Sequence, residues 1–162
     1  MNVPLPALSI VVPLYNSAET LPRLLEELSA LPIPGGLEII LVNDGSLDET
    51  QATALALLEA CAVPVTLLTH SRNFGEHNAI LSGLRARRGD FVVTMDDDLQ
   101  NPPSEVLKLL QLAQSENRDV VYSIYEEKEH PGWRNLGSRL TNLLADWSID
   151  KPRGLYLSSF RC

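Results

Sequence analysis

The chain has 162 residues, 44% hydrophobic and 21% charged, which is the make-up of one folded domain with a sizeable core and excludes disordered and collagen-like classes. Its 13 Lys and Arg against 21 Asp and Glu leave a net charge of −8, which argues against a nucleic-acid partner held by phosphate neutralisation. The charge is uneven: residues 131–162 carry five basic side chains and two acidic ones, so an anionic partner is expected near that end.

Short apolar runs alternate with amphipathic stretches, the pattern of an α/β sheet. Leu8 to Tyr15 is a buried strand, and Ser17 is expected to cap a helix with the stripe Leu21, Leu24, Leu25 and Leu28. Pro32, Pro34, Gly35 and Gly36 stop that helix. Leu37 to Val42 is the second strand; it breaks at Asn43-Asp44-Gly45-Ser46, with Ser46 or Asp48 available to cap a helix carrying Leu55, Leu58 and Cys61. Val63 to Leu68 is a third strand, and a helix from about Gly75 to Arg88 follows. The strand Asp90 to Met95 then runs into Asp96-Asp97-Asp98, and Asn101 with Pro102 is expected to open a helix with Leu107, Leu110 and Ala113 inside. Asp119 to Ile124 reads as a fifth strand, Glu126 to Pro131 as a loop, and Trp133 to Trp147 as an amphipathic helix.

The acidic triplet is the strongest local signal. Extended alternation would put Asp96, Asp98 and Gln100 on one side and Asp97 on the other. Two carboxylates about 4 Å apart repel by roughly 4 kcal/mol at an effective dielectric of 20, so the cluster makes most sense around a divalent cation. Oxygen donors suit Mg²⁺ or Mn²⁺. By itself the triplet is equally an acidic turn before a helix; its position after a buried strand, at the sheet edge where ligands collect, favours the metal. Asp44 at the second strand's end can accept from a pyrimidine imide or a ribose hydroxyl, or simply form an Asx turn. Tyr15 and Asn16 can stack on and bond a base, although a lone Tyr there often only packs.

Neither G-x-G-x-x-G, G-x-x-x-x-G-K-[ST] nor G-x-S-x-G occurs, so dinucleotide oxidoreductases, P-loop kinases and serine hydrolases lose support. The D-x-D-G-T pattern of aspartyl phosphatases is not matched either. Cys61 and Cys162 form no disulfide framework, and His70, His77 and His130 show no metal spacing and read as structural. No apolar stretch reaches the roughly 18–20 residues of a spanning helix.

Taken together, SIVVPLYNSAETL (9–21), EIILVNDGSLDET (38–50), RNFGEHNAILSGL (72–84) and GDFVVTMDDDLQNPP (89–103) closely resemble family 2 glycosyltransferases of the GT-A fold. DDDLQNPP, with GSRLTNLL (137–144) and LYLSSFRC (155–162), is similar to the polyprenyl-phosphate branch. That branch includes dolichol-phosphate mannosyltransferases, bactoprenol glucosyltransferases and undecaprenyl-phosphate 4-deoxy-4-formamido-L-arabinose transferases.

The resemblance implies a Rossmann-like, mostly parallel sheet flanked by helices, C-terminally incomplete relative to the family. It assigns residues 1–125 to nucleotide-sugar binding and 126–162 to the start of the acceptor side. Pro13, Tyr15, Asn16, Asp44 and Asp48 would line the nucleotide pocket; Asp96, Asp98 and Gln100 would hold Mg²⁺ or Mn²⁺ on the donor diphosphate. Arg139 and Arg161, with Arg134 as a third candidate, would face the acceptor phosphate, in line with the basic balance of 131–162. The implied reaction is inverting transfer from a UDP-sugar to a polyprenyl phosphate at the cytoplasmic face of a membrane, the membrane being met through a missing C-terminal part. Transfer to a saccharide hydroxyl, or nucleotide binding without catalysis, are the alternatives. Ser17 stands where many relatives have Glu, which Glu19 matches only loosely; Leu155 and Tyr156 stand where many have an Asp, so no carboxylate base carries over. Trp133, Leu140 and Trp147 would offer an apolar face to a second copy, as a homo-oligomer, or to lipid.

Overall fold

Four of the apolar runs become parallel strands in the computed structural model, which describes residues 5–123 and 160–162. They are β1 (Leu8–Leu14), β2 (Leu37–Asn43), β3 (Val65–Thr69) and β4 (Phe91–Thr94), and they alternate with α1 (Leu21–Ser29), α2 (Thr50–Leu58), α3 (Glu76–Ala86) and α4 (Glu105–Ser115). The strand order is β3-β2-β1-β4, so the chain builds outward from β1 first in one direction and then in the other. Such a reversal defines a switch point between β1 and β4, where the loops at the strand C-termini diverge.

Every residue of β1 and β2 is buried, as expected for central strands covered on both faces. Leu8, Ile10, Val12 and Leu14 pack with the α1 stripe and with Val106, Leu109 and Leu110 of α4 on one face. Val11, Ile40 and Val42 meet Ala79 of α3 on the other. Gly83 lets α3 lie close to the sheet, since a Cβ there would stand 2.3 Å from Val11 Cγ1.

Several local expectations are corrected. Ser17 does not cap α1, which begins at Leu21 with no side-chain cap; the Ser17 hydroxyl is drawn across the sheet edge to Asp97. The inward face of α2 is Thr50 and Ala54, with Leu57 and Cys61 against the core, while Leu55 is 53% exposed. The phase is set by Thr50, whose buried Oγ1 accepts from Ser17 N–H at 2.7 Å. Asn101 and Pro102 do not open α4, which starts at Glu105 after a turn in which Pro102 C=O accepts from Glu105 N–H. Pro103 disfavours the helical region for the residue before it, which delays the start.

The expected fifth strand, whose Ile124 lies outside the described residues, does not pair with β4 among the described ones. Phe160–Cys162 takes the free edge of β4, pairing antiparallel through Thr94 and Arg161, and Val121 exchanges two backbone bonds with Cys162. A partner some 40 positions later in the chain carries no local signal. The expected loop at 126–131 and the helix at 133–147 lie outside the described residues.

Candidate active site

The cleft exists because two neighbouring strands end at different heights. β4 stops at Thr94, opposite Val11, whereas β1 continues to Leu14 paired only with β2. Pro13, which has no N–H to donate, therefore sits where the β4 side of β1 has no ladder to complete. The space that opens beside Pro13, Leu14 and Tyr15 has a volume of about 450 Å³ and is lined on its other sides by Asp44, Asn73, Glu76, Asp96, Asp97 and Asp98.

The triplet does not keep extended alternation. The strand has already ended, and Leu99 adopts a left-handed backbone (φ 59°), so all three Asp residues line the cleft and Gln100 does not. Gln100 N–H instead closes a turn onto Asp98 Oδ1 at 3.0 Å. Asp97 Oδ2 accepts from the Ser17 hydroxyl and from Tyr15 N–H, which ties the acidic loop to the end of β1.

Asp44 is buried at the β2 terminus and takes three donors. Oδ1 accepts from His70 Nδ1 at 2.7 Å and Phe74 N–H at 2.9 Å, and Oδ2 accepts from Gly75 N–H at 2.8 Å. Burial pushes its pKa upward, but the bonds from Phe74, His70 and Gly75 outweigh it and hold the carboxyl below its ordinary range. A second cleft of about 450 Å³ adjoins the first, sharing Tyr15 and Asn73 and adding among others Ser46, Leu47, Gln51, His70 and Arg72. The Arg72 guanidinium stacks over Phe74 at 4.9 Å.

Asn16 and Asp48 line neither cleft. Asn16, at φ 56°, donates its N–H to Ser46 Oγ and accepts from Leu47 N–H, while Asp48 accepts from Thr50 and from Ala18 N–H. Both tie the loop bearing Tyr15 to the start of α2. The Thr50 hydroxyl, against burial, keeps the Asp48 carboxyl below its usual range. Arg161 is joined through its backbone to Thr94, two residues before Asp96, and its side chain lines neither cleft. Arg134 and Arg139 lie outside the described residues.

Sequence reasoning does not single out Asn73, Glu76 or Arg72, puts Asp97 on the side away from Asp96 and Asp98, and reads His70 as structural, whereas all five line one of the two clefts. The signal for the first three was present: RNFGE follows β3, and the loop after β3 reaches the same sheet edge as the others. Gly45 joins that loop to the one after β2. It has φ 66°, and a Cβ would stand 2.4 Å from the carbonyl carbon of Arg72. Gly45→Ala is expected to cost roughly 2 kcal/mol or more, because left-handed strain and a backbone clash add. Thermal melting would show a lower Tm; an unchanged melt would remove this account of the loop contact.

Five carboxylates and no Lys or Arg line the first cleft. Such a wall repels a diphosphate unless a cation accompanies it. Among the described residues no group of three or more His, Cys, Asp or Glu is arranged to hold a metal ion. The oxygen-only donors fit Mg²⁺ or Mn²⁺ in the mode that uses one or two carboxylates and completes the shell with substrate phosphates and water.

Residues 9–161 match the family model of glycosyl transferase family 2. The chain belongs to this family. Among its relatives, an undecaprenyl-phosphate 4-deoxy-4-formamido-L-arabinose transferase from Pseudomonas aeruginosa is 38% identical over 161 residues, 98% of this chain and 46% of the relative. The transferase of the same description from Sodalis glossinidius is 37% identical over 150 residues, 91% of this chain and 46% of the relative. The chain thus spans about half the length of these relatives. Glucosyl-3-phosphoglycerate synthase from Mycobacterium tuberculosis, solved with Mn²⁺, UDP and glucosyl-3-phosphoglycerate, superposes with a TM-score of 0.72 at 24% identity, covering 96% of this chain and 56% of that one. A mannosyltransferase from Pyrobaculum calidifontis, solved with GDP-Man and Mn²⁺, gives 0.67 at 22% identity over 75% of this chain and 36% of its own. The expected GT-A arrangement, a parallel sheet flanked by helices, is the fold found.

Proposed function

We propose that this family 2 chain carries the donor site of a metal-dependent, inverting glycosyltransferase that moves a sugar from UDP to a polyprenyl phosphate. The observation that carries the reading is the carboxylate-walled cleft at the switch point, which suits a diphosphate only in company with a cation. The name borne by the relatives at 37–38% identity supports the acceptor.

Asp96 and Asp98 would hold Mg²⁺ or Mn²⁺. When bound, the cation offsets the charge of the departing diphosphate. Asp97 has a different task, keeping Tyr15 and Ser17 against the acidic loop. Tyr15, shared by the two clefts, offers its ring to the base, and Arg72 brings the one guanidinium that lines either cleft among the described residues. Uracil is favoured over guanine by the acceptor capacity of Asp44. Oδ1 already has two donors and Oδ2 one, so a single direction is left, and uracil presents one imide N–H where guanine presents two adjacent donors.

An oxyanion of the lipid phosphate attacks the anomeric carbon as its bond to UDP breaks, inverting that centre. With a second pKa near 6, the phosphate is mostly ionised at neutral pH and needs no base. Arg161, Arg139 and Arg134 are proposed to receive it. Among the described residues no helix is long and apolar enough to cross a membrane.

One observation favours a second reading, transfer to a saccharide hydroxyl: Glu76 lines the cleft and offers a carboxylate base. Labelled UDP-sugar supplied with polyprenyl phosphate or with oligosaccharide separates the two. Label in butanol-extracted lipid, retained in Glu76→Gln, is the expected result. Label on oligosaccharide alone, lost in Glu76→Gln, would replace the first reading with the second.

A further inference from the structure

The imidazole of His70 is held on several sides. Its Nδ1 lies 2.7 Å from Asp44 Oδ1, its Nε2 lies 2.9 Å from Ser82 Oγ on α3, and its ring meets Phe74 edge-on at 5.6 Å. With Asp44 ionised, Nδ1–H donates to the carboxylate and the Ser82 hydroxyl donates to Nε2, so one tautomer satisfies both contacts. The same imidazole lines the second cleft.

We infer that His70 is a positioning residue that sets base preference through Asp44. By occupying the second acceptor direction of Oδ1, it leaves the carboxylate one open direction, on Oδ2, and holds it there. A base edge with one N–H is matched, and an edge with two adjacent donors leaves one buried without a partner. The inference rests on the reading of Asp44 as the base-binding group. Without the imidazole, Oδ1 keeps only Phe74 N–H, and the carboxylate gains both an acceptor site and freedom to turn.

The test is calorimetric titration in Mn²⁺ with UDP, GDP and UDP methylated at N3, on the wild-type chain and on His70→Ala, His70→Leu and His70→Asn. Wild type is expected to prefer UDP and to reject the N3-methyl compound. His70→Ala and His70→Leu should each shrink the UDP-to-GDP preference by about tenfold, the scale of one hydrogen bond to a charged group. His70→Asn, whose Nδ2 can replace the Nδ1–H donor, should restore it. A merely structural imidazole would weaken both nucleotides alike, so an unchanged ratio in the Ala and Leu variants overturns the proposal while leaving the base reading standing. Wild type binding the N3-methyl compound as well as UDP would remove the base reading and the proposal with it. Failure of both the Ala and Leu variants to fold would assign His70 to the fold and overturn the proposal as well.

Discussion

Asp98→Ala is expected to lower turnover on the order of 10²-fold or more, by analogy with removing one preorganised electrostatic group from an active site. Asp98 is exposed, and the bond it makes through Oδ1 is to the next turn's Gln100 N–H, so its loss should leave stability within about 0.5 kcal/mol. The effect should therefore appear in cation-dependent steps. Titrating UDP with and without Mn²⁺ should show metal-dependent binding in wild type and none in an Asp96→Ala, Asp98→Ala double variant. Asp97→Ala should behave differently, releasing Ser17 and Tyr15 from the acidic loop and weakening UDP while leaving its dependence on metal in place. Wild-type turnover in Asp98→Ala would sink the assignment of this carboxylate to the cation.

Glu38→Ala is expected to destabilise the fold by about 2–4 kcal/mol, far from the clefts at the opposite end of the sheet. Glu38 is 2% exposed on β2 and accepts from Ser9 Oγ at 2.6 Å and from Arg88 through N–H, Nε and Nη2 at 2.7 Å each. Truncation would leave the buried Ser9 hydroxyl without its acceptor. The half-exposed Arg88 guanidinium can return to water, which keeps the cost below that of breaking a fully buried pair.

The same network makes stability depend on pH. Burial raises the Glu38 pKa, but the Ser9 and Arg88 bonds more than reverse this and hold it below its ordinary 4.5. A carboxyl depressed in the folded state contributes fully above its unfolded pKa, and that contribution is lost as pH falls through the folded one. Asp44 and Asp48 act in the same direction. Denaturant unfolding between pH 7 and 3 should show wild-type stability falling below about pH 4.5, with a shallower fall in Glu38→Ala. Equal slopes, or a change at pH 7 within about 0.5 kcal/mol, would show that the network contributes little.

Local pattern sufficed wherever the signal was local. The strands, the α1 stripe, the position of Asp96-Asp97-Asp98 after a strand and the family motifs all rest on periodicity or spacing within about fifteen residues. Where a side chain's partner is distant, pattern failed. Ser17 has the composition of a helix cap but bonds Asp97, 80 positions away. The phase of α2 follows Thr50, held by Ser17 N–H, rather than its leucines. Asp48 and Asn16 tie loops together instead of lining a cleft.

What the sequence by itself determined is the α/β class, the family and the sheet edge beside which the acidic triplet lies, because burial periodicity is written residue by residue. Only the tertiary structure decided that β4 stops three residues short of β1, that Phe160–Cys162 takes the free edge of β4, and that Asp44, Glu76 and the Asp triplet share one cleft. Those features depend on where separate strands end relative to one another. That register comes from packing between distant segments, which no local run of residues encodes.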